Sequence, residues 1–244
     1  MSVKSSQSGA RILAVLEAVA LLQPIGLAAL SRHLGEDKSA LQRALATLAG
    51  TGWIRPAPGS PPRWELTTRL FEMARVPSSG ADLRDRARPA LDRLRERTGE
   101  TAMLVLPDTD HFVVVETAES AHTLRMAPRI GMRIEIPGTA TARAVLAFLS
   151  PRDQERILGR PVTPEDAAQF AETRRRGYGI SRGEVMEGST TLAAPVFDLQ
   201  GQPHAVLVIT GPSERLDPDE HAAIGTLLCA EAEGLSRAAA AEAA

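Results

Sequence analysis

Two short apolar stripes at helical spacing, separated by a break, restrict the fold of this 244-residue chain more than any other feature. The first stripe ends at Gly35-Glu36-Asp37, a sequence that favours the end of a helix. The second repeats at i, i+4 and i+7, which places its leucines on one helix face. The two stripes are Ile25, Leu27, Leu30 and Leu34, then Leu41, Leu45 and Leu48. We predict two short helices joined by a turn, preceded by a helix over 11–22.

The polar side of the second helix is as regular as its apolar side. Asp37 is a suitable N-cap. Four polar residues then occupy the first two turns: Lys38, Ser39, Gln42 and Arg43. A helix-turn-helix protein places the side chains that touch bases and phosphates on this part of its second helix. The pattern therefore predicts a recognition helix for DNA.

Two short strands are predicted directly after this helix, at Trp53-Ile54-Arg55 and Arg63-Trp64-Glu65-Leu66. Four prolines, Gly59 and Ser60 join them, and proline cannot donate to a strand ladder, so the connection should be a stiff, projecting loop. Such a hairpin is typical of a wing, with Arg55 and Arg63 placed to hold a phosphate or enter a minor groove. The simpler interpretation is that any three-helix domain shows such stripes and that both arginines are merely solvated.

Charge is distributed unevenly along the chain. Residues 1–75 carry 9 Lys and Arg against 5 Asp and Glu, a net charge of +4, whereas residues 76–244 carry 19 against 25, a net charge of −6. A basic first part suits a polyanion, which would repel the acidic remainder. Because the length is typical of about two domains, we predict a DNA-binding domain at 1–75, a linker helix at 76–98 and a second domain at 99–244.

β-rich runs and helical stretches alternate in the second part of the chain. Strands are predicted at 102–106, 112–116, 123–126, 191–197 and 205–210, and helices at about 140–149, 151–158, 164–175 and 217–237. This order favours an α+β domain with one mostly antiparallel sheet covered by helices. The predicted fold class is therefore two-domain, an N-terminal all-α winged helix-turn-helix followed by an α+β domain.

No constellation for enzymatic chemistry is present in the sequence. The five histidines are scattered, there is no H-E-x-x-H motif or Gly-rich phosphate loop, and the single Cys229 lies on an apolar helical stretch. We predict no enzyme activity, no cofactor and no metal. No run of 18 apolar residues is available to span a membrane, and we expect a cytoplasmic protein.

Several segments together resemble the IclR (isocitrate lyase regulator) family of bacterial transcriptional regulators. The resemblance covers about residues 8–237, and the order and spacing of the segments make it specific. They are Leu45-Ala46-Thr47-Leu48 leading to Gly52-Trp53-Ile54, Arg88-Pro89-Ala90-Leu91-Asp92 before Thr98-Gly99-Glu100-Thr101, the run from Pro137 to Ala147, Arg176-Gly177-Tyr178-Gly179, Glu184-Val185-Met186-Glu187-Gly188, Ala193-Ala194-Pro195-Val196 and Ile209-Thr210-Gly211-Pro212. One departure is Ala142-Arg143, where the family commonly has Gly-Lys.

The resemblance implies that the second domain is GAF-like and binds an effector. It implies a homodimer or a dimer of dimers on a palindromic operator in double-stranded DNA, controlled by a small molecule that is often a carboxylate or an aromatic acid. Effector identity, operator sequence and the choice between repressor and activator stay open.

The resemblance also assigns effector-binding residues: Thr139, Ala140, Thr141, Ser181, Thr191, Val208 and Thr210. The first three begin a predicted helix, where unpaired backbone N–H groups and the helix dipole favour a carboxylate. An ordinary N-cap is the alternative for Thr139, and a strand packing face is the alternative for Thr191, Val208 and Thr210. Candidate sources of positive charge are Arg125, Arg129, Arg133 and Arg143.

Two other classes of function stay open on the sequence. An enzyme with an accessory winged helix would consume a small acid. A protein-interaction module would use its winged helix to bind another chain, and its affinity for DNA would depend little on salt.

Overall fold

The chain divides into two compact units, Met1–Ala81 and Asp82–Ala244. The computed structural model describes residues 6–74 and 79–242, including their side chains except at 74, 79–82 and 239–242. The start of the linker helix predicted at 76–98 therefore lies outside the described residues, which resume at 79. No described helix is both long and apolar enough to cross a membrane.

The first unit is a small helical core with a three-stranded sheet. Its elements are α1 (Gln7–Leu22), β1 (Ile25–Gly26), α2 (Leu27–Leu34), α3 (Lys38–Gly50), β2 (Ile54–Ala57), β3 (Arg63–Leu66) and α4 (Arg69–Ala74). The sheet is antiparallel in the order β1-β3-β2. Leu41, Leu45 and Leu48 of α3 pack in its core against Val15 and Val19 of α1. The winged helix-turn-helix expected from the stripes is thereby confirmed.

Local chemistry places the turn between α2 and α3. Gly35 caps α2 in the left-handed region at φ 65°, a conformation that favours glycine. Asp37 caps α3 and accepts from the amides of Ser39 and Ala40 at 2.9 and 3.4 Å, as predicted. Ile25 was expected in the first of these helices, but it lies in β1 opposite Trp64, because the segment before α2 pairs with β3 as a strand.

The second unit is built on a six-stranded antiparallel sheet. Its elements are α5 (Ser79–Thr98), β4 (Thr101–Pro107), β5 (His111–Ala118), β6 (Arg133–Glu135), α6 (Ala140–Leu146), α7 (Pro151–Leu158), α8 (Pro164–Arg176), β7 (Gly179–Arg182), β8 (Ser189–Phe197), β9 (Pro203–Pro212), a 3₁₀ turn (Pro218–Glu220) and α9 (His221–Glu242). The strand order is β6-β5-β4-β9-β8-β7. This confirms the α+β class with an antiparallel sheet.

Helices cover both faces of this sheet. Leu91 and Leu94 of α5 and Leu228 of α9 pack on one face, and residues of α6 and α8 such as Val145 and Phe170 pack on the other. Alternation along each strand supplies both cores, since successive side chains point to opposite faces. From Leu83 onwards, α5, which the sequence predicted as a linker helix, packs in the core of the second unit.

Three element predictions in the second unit need correction. The prediction of a strand at 123–126 is wrong, because this segment is irregular. Side chains bond to its carbonyls instead of a neighbouring strand: Thr101 Oγ1 donates to Met126 O at 2.6 Å, and Arg215 Nη2 donates to Leu124 O at 3.0 Å. Strands β6 and β7 were not predicted, because three or four residues show too little alternation. Helix α6 stops before 149, since the amides of Phe148 and Leu149 bond to carbonyls three residues back.

Candidate DNA-binding surface and effector cavity

The four residues predicted on the recognition helix all lie exposed on α3: Lys38, Ser39, Gln42 and Arg43. The leucines of the opposite face are buried, so the hydrophobic core fixes which side of α3 meets solvent. Ser39 Oγ donates to Asp37 Oδ2 at 2.5 Å, which ties this hydroxyl to the helix cap. Hydrogen bonds from the side chain and amide of Ser39 lower the pKa of Asp37, so the cap is an anion at neutral pH.

A groove of about 980 Å³ lies between the wing and helices α2 and α3. Gln42, Arg32 and Arg63 line it. Arg63 stands opposite Ala57 at the ladder pair nearest the wing tip, and its side chain has no partner among the described residues. Arg55 lies two residues deeper in the hairpin, where its Nε donates to Glu65 Oε1 at 2.8 Å. The two wing arginines therefore differ in how freely they can meet a phosphate.

Six of the seven predicted effector residues line one cavity of about 330 Å³ in the second unit: Thr139, Ala140, Thr141, Ser181, Thr191 and Thr210. The cavity is bounded by the start of α6, the sheet face, the loop at 119–132 and the loop after β7. Val208 is the exception, because it is fully buried in the core between the sheet and α6. Val208 therefore fits the alternative that it belongs to a strand packing face, and it does not line the cavity.

The polar groups of the cavity fall into two sets. Thr191 Oγ1 and Thr210 Oγ1 lie 2.9 Å apart and bond to each other, and Thr139 Oγ1 accepts from the amide of Ala142 at 3.0 Å as the N-cap of α6. By contrast, the hydroxyls of Thr141 and Ser181 and the amides of Ala140 and Thr141 have no hydrogen-bond partner within 6–74 and 79–242. Thr141 and Ser181 are both almost fully buried. The residues that line the cavity thus supply four donors without an acceptor in the described part of the chain.

The remaining wall is apolar and rich in sulfur. Met103, Met126, Met132 and Met186 line it with Ile134. Methionine fills irregular space and makes favourable contacts with aromatic rings. These side chains come from four separate segments, so no spacing in the sequence reveals that they meet.

The four arginines that were candidate sources of positive charge differ in whether they reach the cavity. Arg125 lines the cavity, with its Nε 3.2 Å from Glu119 Oε2. Arg143 instead bonds Gln169, the carbonyl of Ile180 and Glu184, away from the cavity. Arg133 contacts His111 and Asp110, and Arg129 is exposed.

The loop at 119–132 is joined to the C-terminal end of α5. Ser120 Oγ donates to Gly99 O at 2.6 Å. Glu100, which is 1% exposed, accepts from Arg215 Nη2 at 3.0 Å, and that nitrogen also donates to Leu124 O. These contacts connect the loop to Gly99 and Glu100, the two residues that follow α5.

Sequence reasoning missed part of both surfaces. Arg32 lines the groove of the first unit, and its place on the polar side of α2 was the available signal. Ser189 and the methionines of the cavity carried no local signal. They belong to the site only because the sheet and two loops converge there.

Two family models match this chain. A model described as the IclR helix-turn-helix domain matches residues 8–58, and one described as the bacterial transcriptional regulator IclR C-terminal domain matches residues 78–237. The second match alone covers more than half of the chain. The chain belongs to the IclR family.

Curated IclR-family relatives extend along nearly the whole chain. The HTH-type transcriptional regulator KdgR of Dickeya chrysanthemi is 30% identical over 226 residues, which are 88% of this chain and 74% of that protein. The HTH-type transcriptional regulator BhcR of Paracoccus denitrificans is 29% identical over 237 residues, 93% of this chain and 85% of that one. These relatives are transcriptional regulators and not enzymes.

Solved structures share the fold of this IclR-family chain. An IclR homologue from Microbacterium hydrocarbonoxydans, solved in complex with 4-hydroxybenzoate, has a TM-score of 0.80 at 22% identity and covers 96% of this chain and 100% of its own. From the two family matches and these relatives, the protein is a DNA-binding transcriptional regulator of the IclR type, with a helix-turn-helix domain and a C-terminal effector domain.

Proposed function

We propose that the cavity in the second unit binds a small monocarboxylic acid with an aromatic body, and that this ligand controls operator binding. The observation that carries the proposal is the set of four unpaired donors, from Ala140, Thr141 and Ser181, in a cavity of about 330 Å³. A donor that has no protein acceptor is available to a ligand, and a carboxylate oxygen would satisfy it. The volume is at the small end of ligand pockets, which suits an acid of benzoate size.

The proposed ligand lies with its two ends in different surroundings. Its carboxylate accepts from the hydroxyls of Thr141 and Ser181 and from the amides at the start of α6. Because α6 has only seven residues, these specific donors matter more than its dipole. Arg125 adds positive charge at the rim, and the methionine wall packs on the ring. Thr139, Thr191 and Thr210 shape the cavity while bonding within the protein.

The Microbacterium homologue supports an aromatic acid as the ligand class, since that protein was solved with 4-hydroxybenzoate. The hydroxyl of such a ligand would need a polar partner at the far end of the cavity. Ser189, which also lines it, is one available group.

For the first unit we propose that α3 enters the major groove, with Lys38, Gln42 and Arg43 towards bases and phosphates and with Ser39 at the helix start. Arg63 holds the backbone beside the wing, and Arg55 contributes less because Glu65 already holds it. A homodimer or a dimer of dimers would place two such helices on a palindromic operator, and a regulator of chromosomal DNA would act in the cytoplasm.

The contacts between the loop at 119–132 and the residues that follow α5 are the proposed route by which ligand binding is coupled to DNA binding. A ligand shifts an equilibrium only if it binds two arrangements with different affinity. A ligand that draws the loop at 119–132 towards the cavity pulls on Gly99 and Glu100 through Ser120 and Arg215. The end of α5 then moves with the loop.

A thermal-shift measurement on the full chain tests the ligand class. The probes are 4-hydroxybenzoate, benzoate and, as a control without a carboxylate, 4-hydroxybenzyl alcohol. A ligand that binds only the folded state raises the melting temperature. We expect an acid to raise it in the wild type and in the exposed control Thr226→Val, and to raise it less in Thr141→Val and Ser181→Ala. The proposal fails if the alcohol acts as strongly as the acids, or if both cavity variants keep the full shift.

A further inference from the structure

A second cleft lies outside the effector cavity, between α6, α8 and β7, with a volume of about 370 Å³. Three arginines on three different elements line it: Arg143, Arg176 and Arg182. Glu172 and Glu184 line it as well. We call it the arginine cleft.

Each carboxylate of the arginine cleft already has an arginine partner. Glu172 is held by both ends of the Arg175 guanidinium, at 2.7 and 2.9 Å. Glu184 Oε1 accepts from Arg143 Nη2 at 2.9 Å. In the described part of the chain, neither Arg176 nor Arg182 has a carboxylate as hydrogen-bond or ion-pair partner, although the charge of Glu172 is near enough to raise the pKa of Arg176.

Neutral partners hold these two arginines in place. Arg176 Nε donates to Tyr178 O at 2.5 Å, and its guanidinium lies 5.0 Å from the centre of the Tyr178 ring. Arg182 Nη2 lies 3.0 Å from His221 Nδ1, while His221 Nε2 lies 2.9 Å from Leu216 O. A neutral imidazole satisfies both contacts of His221, because it donates from Nε2 and accepts at Nδ1.

Positive charge exceeds negative charge in the cleft, since three arginines and two glutamates line it. Burial is the main cause that lowers the pKa of Arg176; Tyr178 and the charge of Glu172 act against this shift, and the charges of Arg143 and Arg182 add to it. Two guanidinium groups that repel each other across one cleft are stabilised by an anion that accepts from both.

We propose that the arginine cleft binds the dianionic phosphate group of a small metabolite, a phosphate monoester. Guanidinium forks match phosphate oxygens in geometry, and the free N–H groups of Arg176 and Arg182 come from two elements, which suits a tetrahedral group with several acceptor oxygens. The site is separate from the effector cavity, which is lined by Thr141 and Ser181, and the proposal does not depend on which acid occupies that cavity.

Isothermal titration of the full chain with inorganic phosphate and with glycerol 3-phosphate, at constant ionic strength, tests the site. We expect saturable binding of both, with acetate at least about tenfold weaker because it carries one charge. Arg176→Gln and Arg182→Gln should each weaken phosphate binding by about tenfold or more, the loss of charged hydrogen bonds. Arg152→Gln, an exposed arginine on α7, is the control for net charge and should bind like the wild type.

Two further variants make the result decisive. Arg182→Lys keeps the charge but loses the fork, and should give an intermediate affinity even if Arg182→Gln folds poorly. Thr141→Val should bind phosphate like the wild type. Absence of saturable heat in the wild type, equal weakening in Arg152→Gln, or loss of phosphate binding in Thr141→Val would each overturn the proposal, the last by placing phosphate in the effector cavity.

Discussion

Arg43 and Arg55 show that the surroundings of a charge decide what it can bind. Both are exposed arginines of the first unit. Arg43 makes no side-chain hydrogen bond or ion pair with a described residue, whereas Arg55 is held by Glu65 across the hairpin. A phosphate that approaches Arg55 must compete with this carboxylate, while one that approaches Arg43 displaces only water.

Replacing Arg43 tests the recognition helix. We expect Arg43→Ala to weaken operator binding by about 1 to 3 kcal/mol, the range for an arginine that contacts bases or phosphates. Arg55→Ala should weaken it less, and Arg237→Ala, an exposed arginine near the C-terminus of α9, should leave it unchanged. Titration of a labelled operator by fluorescence anisotropy measures all three. An Arg43→Ala chain that binds like the wild type removes this side chain from the interface.

At the scale of the element, α8 shows how local chemistry fixes the start of a helix. Thr163 and Asp166 form a reciprocal capping box, in which each side chain accepts from the other residue's amide, at 2.9 and 3.1 Å. Arg160 adds two contacts to Asp166, at 2.5 and 3.1 Å. The Arg160 hydrogen bonds, followed by those from Thr163, hold the pKa of Asp166 well below its ordinary value.

This depressed pKa gives a prediction of pH dependence. A carboxyl group whose pKa is lower in the folded state stabilises the fold above its unfolded pKa, and the contribution is lost as pH falls towards the folded pKa. Asp166→Asn should therefore be less stable than the wild type at neutral pH, and the gap should narrow below about pH 4. Urea denaturation across the acid range measures it, with Glu165→Gln in the same turn as control. A gap that stays constant with pH would contradict the role of the Asp166 charge.

For the whole molecule, the uneven charge sets how DNA binding responds to salt. Residues 1–75 carry a net charge of +4 and residues 76–244 a net charge of −6. Attraction to DNA therefore comes from the first unit and its local cations, not from the chain as a whole.

Salt dependence distinguishes an operator-binding protein from a module that binds another chain. Each phosphate contact releases counterions, so the logarithm of affinity falls linearly with the logarithm of salt, with a slope of about −0.9 per contact. We expect operator affinity to fall by at least about tenfold between about 50 and 200 mM salt, with a smaller slope for Arg43→Ala. A flat salt profile would remove the phosphate contacts proposed for α3 and the wing.

Much of the fold follows from the sequence because its causes are local. The leucine stripes of α2 and α3, the cap at Asp37 and the turn at Gly35 each depend on residues within a few positions. Alternation in the long strands is equally local, so β4, β5, β8 and β9 were predictable while the short β6 and β7 were not. The segment at 123–126 resembled a strand, but its carbonyls bond to side chains from distant segments.

One part of the candidate site was likewise predictable from the sequence, and another part was not. The sequence, through its family resemblance, assigned the residues at the start of α6 and on β7, β8 and β9, and six of seven line one cavity. Val208 and Thr210 lie two residues apart on the same strand face, and alternation cannot distinguish them. Only the tertiary structure decides that α6 covers Val208 and leaves Thr210 at the cavity. It also decides that Arg125 reaches the rim of the cavity while Arg143 does not, and that three arginines line one cleft. Each of these outcomes depends on packing between segments that are far apart in the chain.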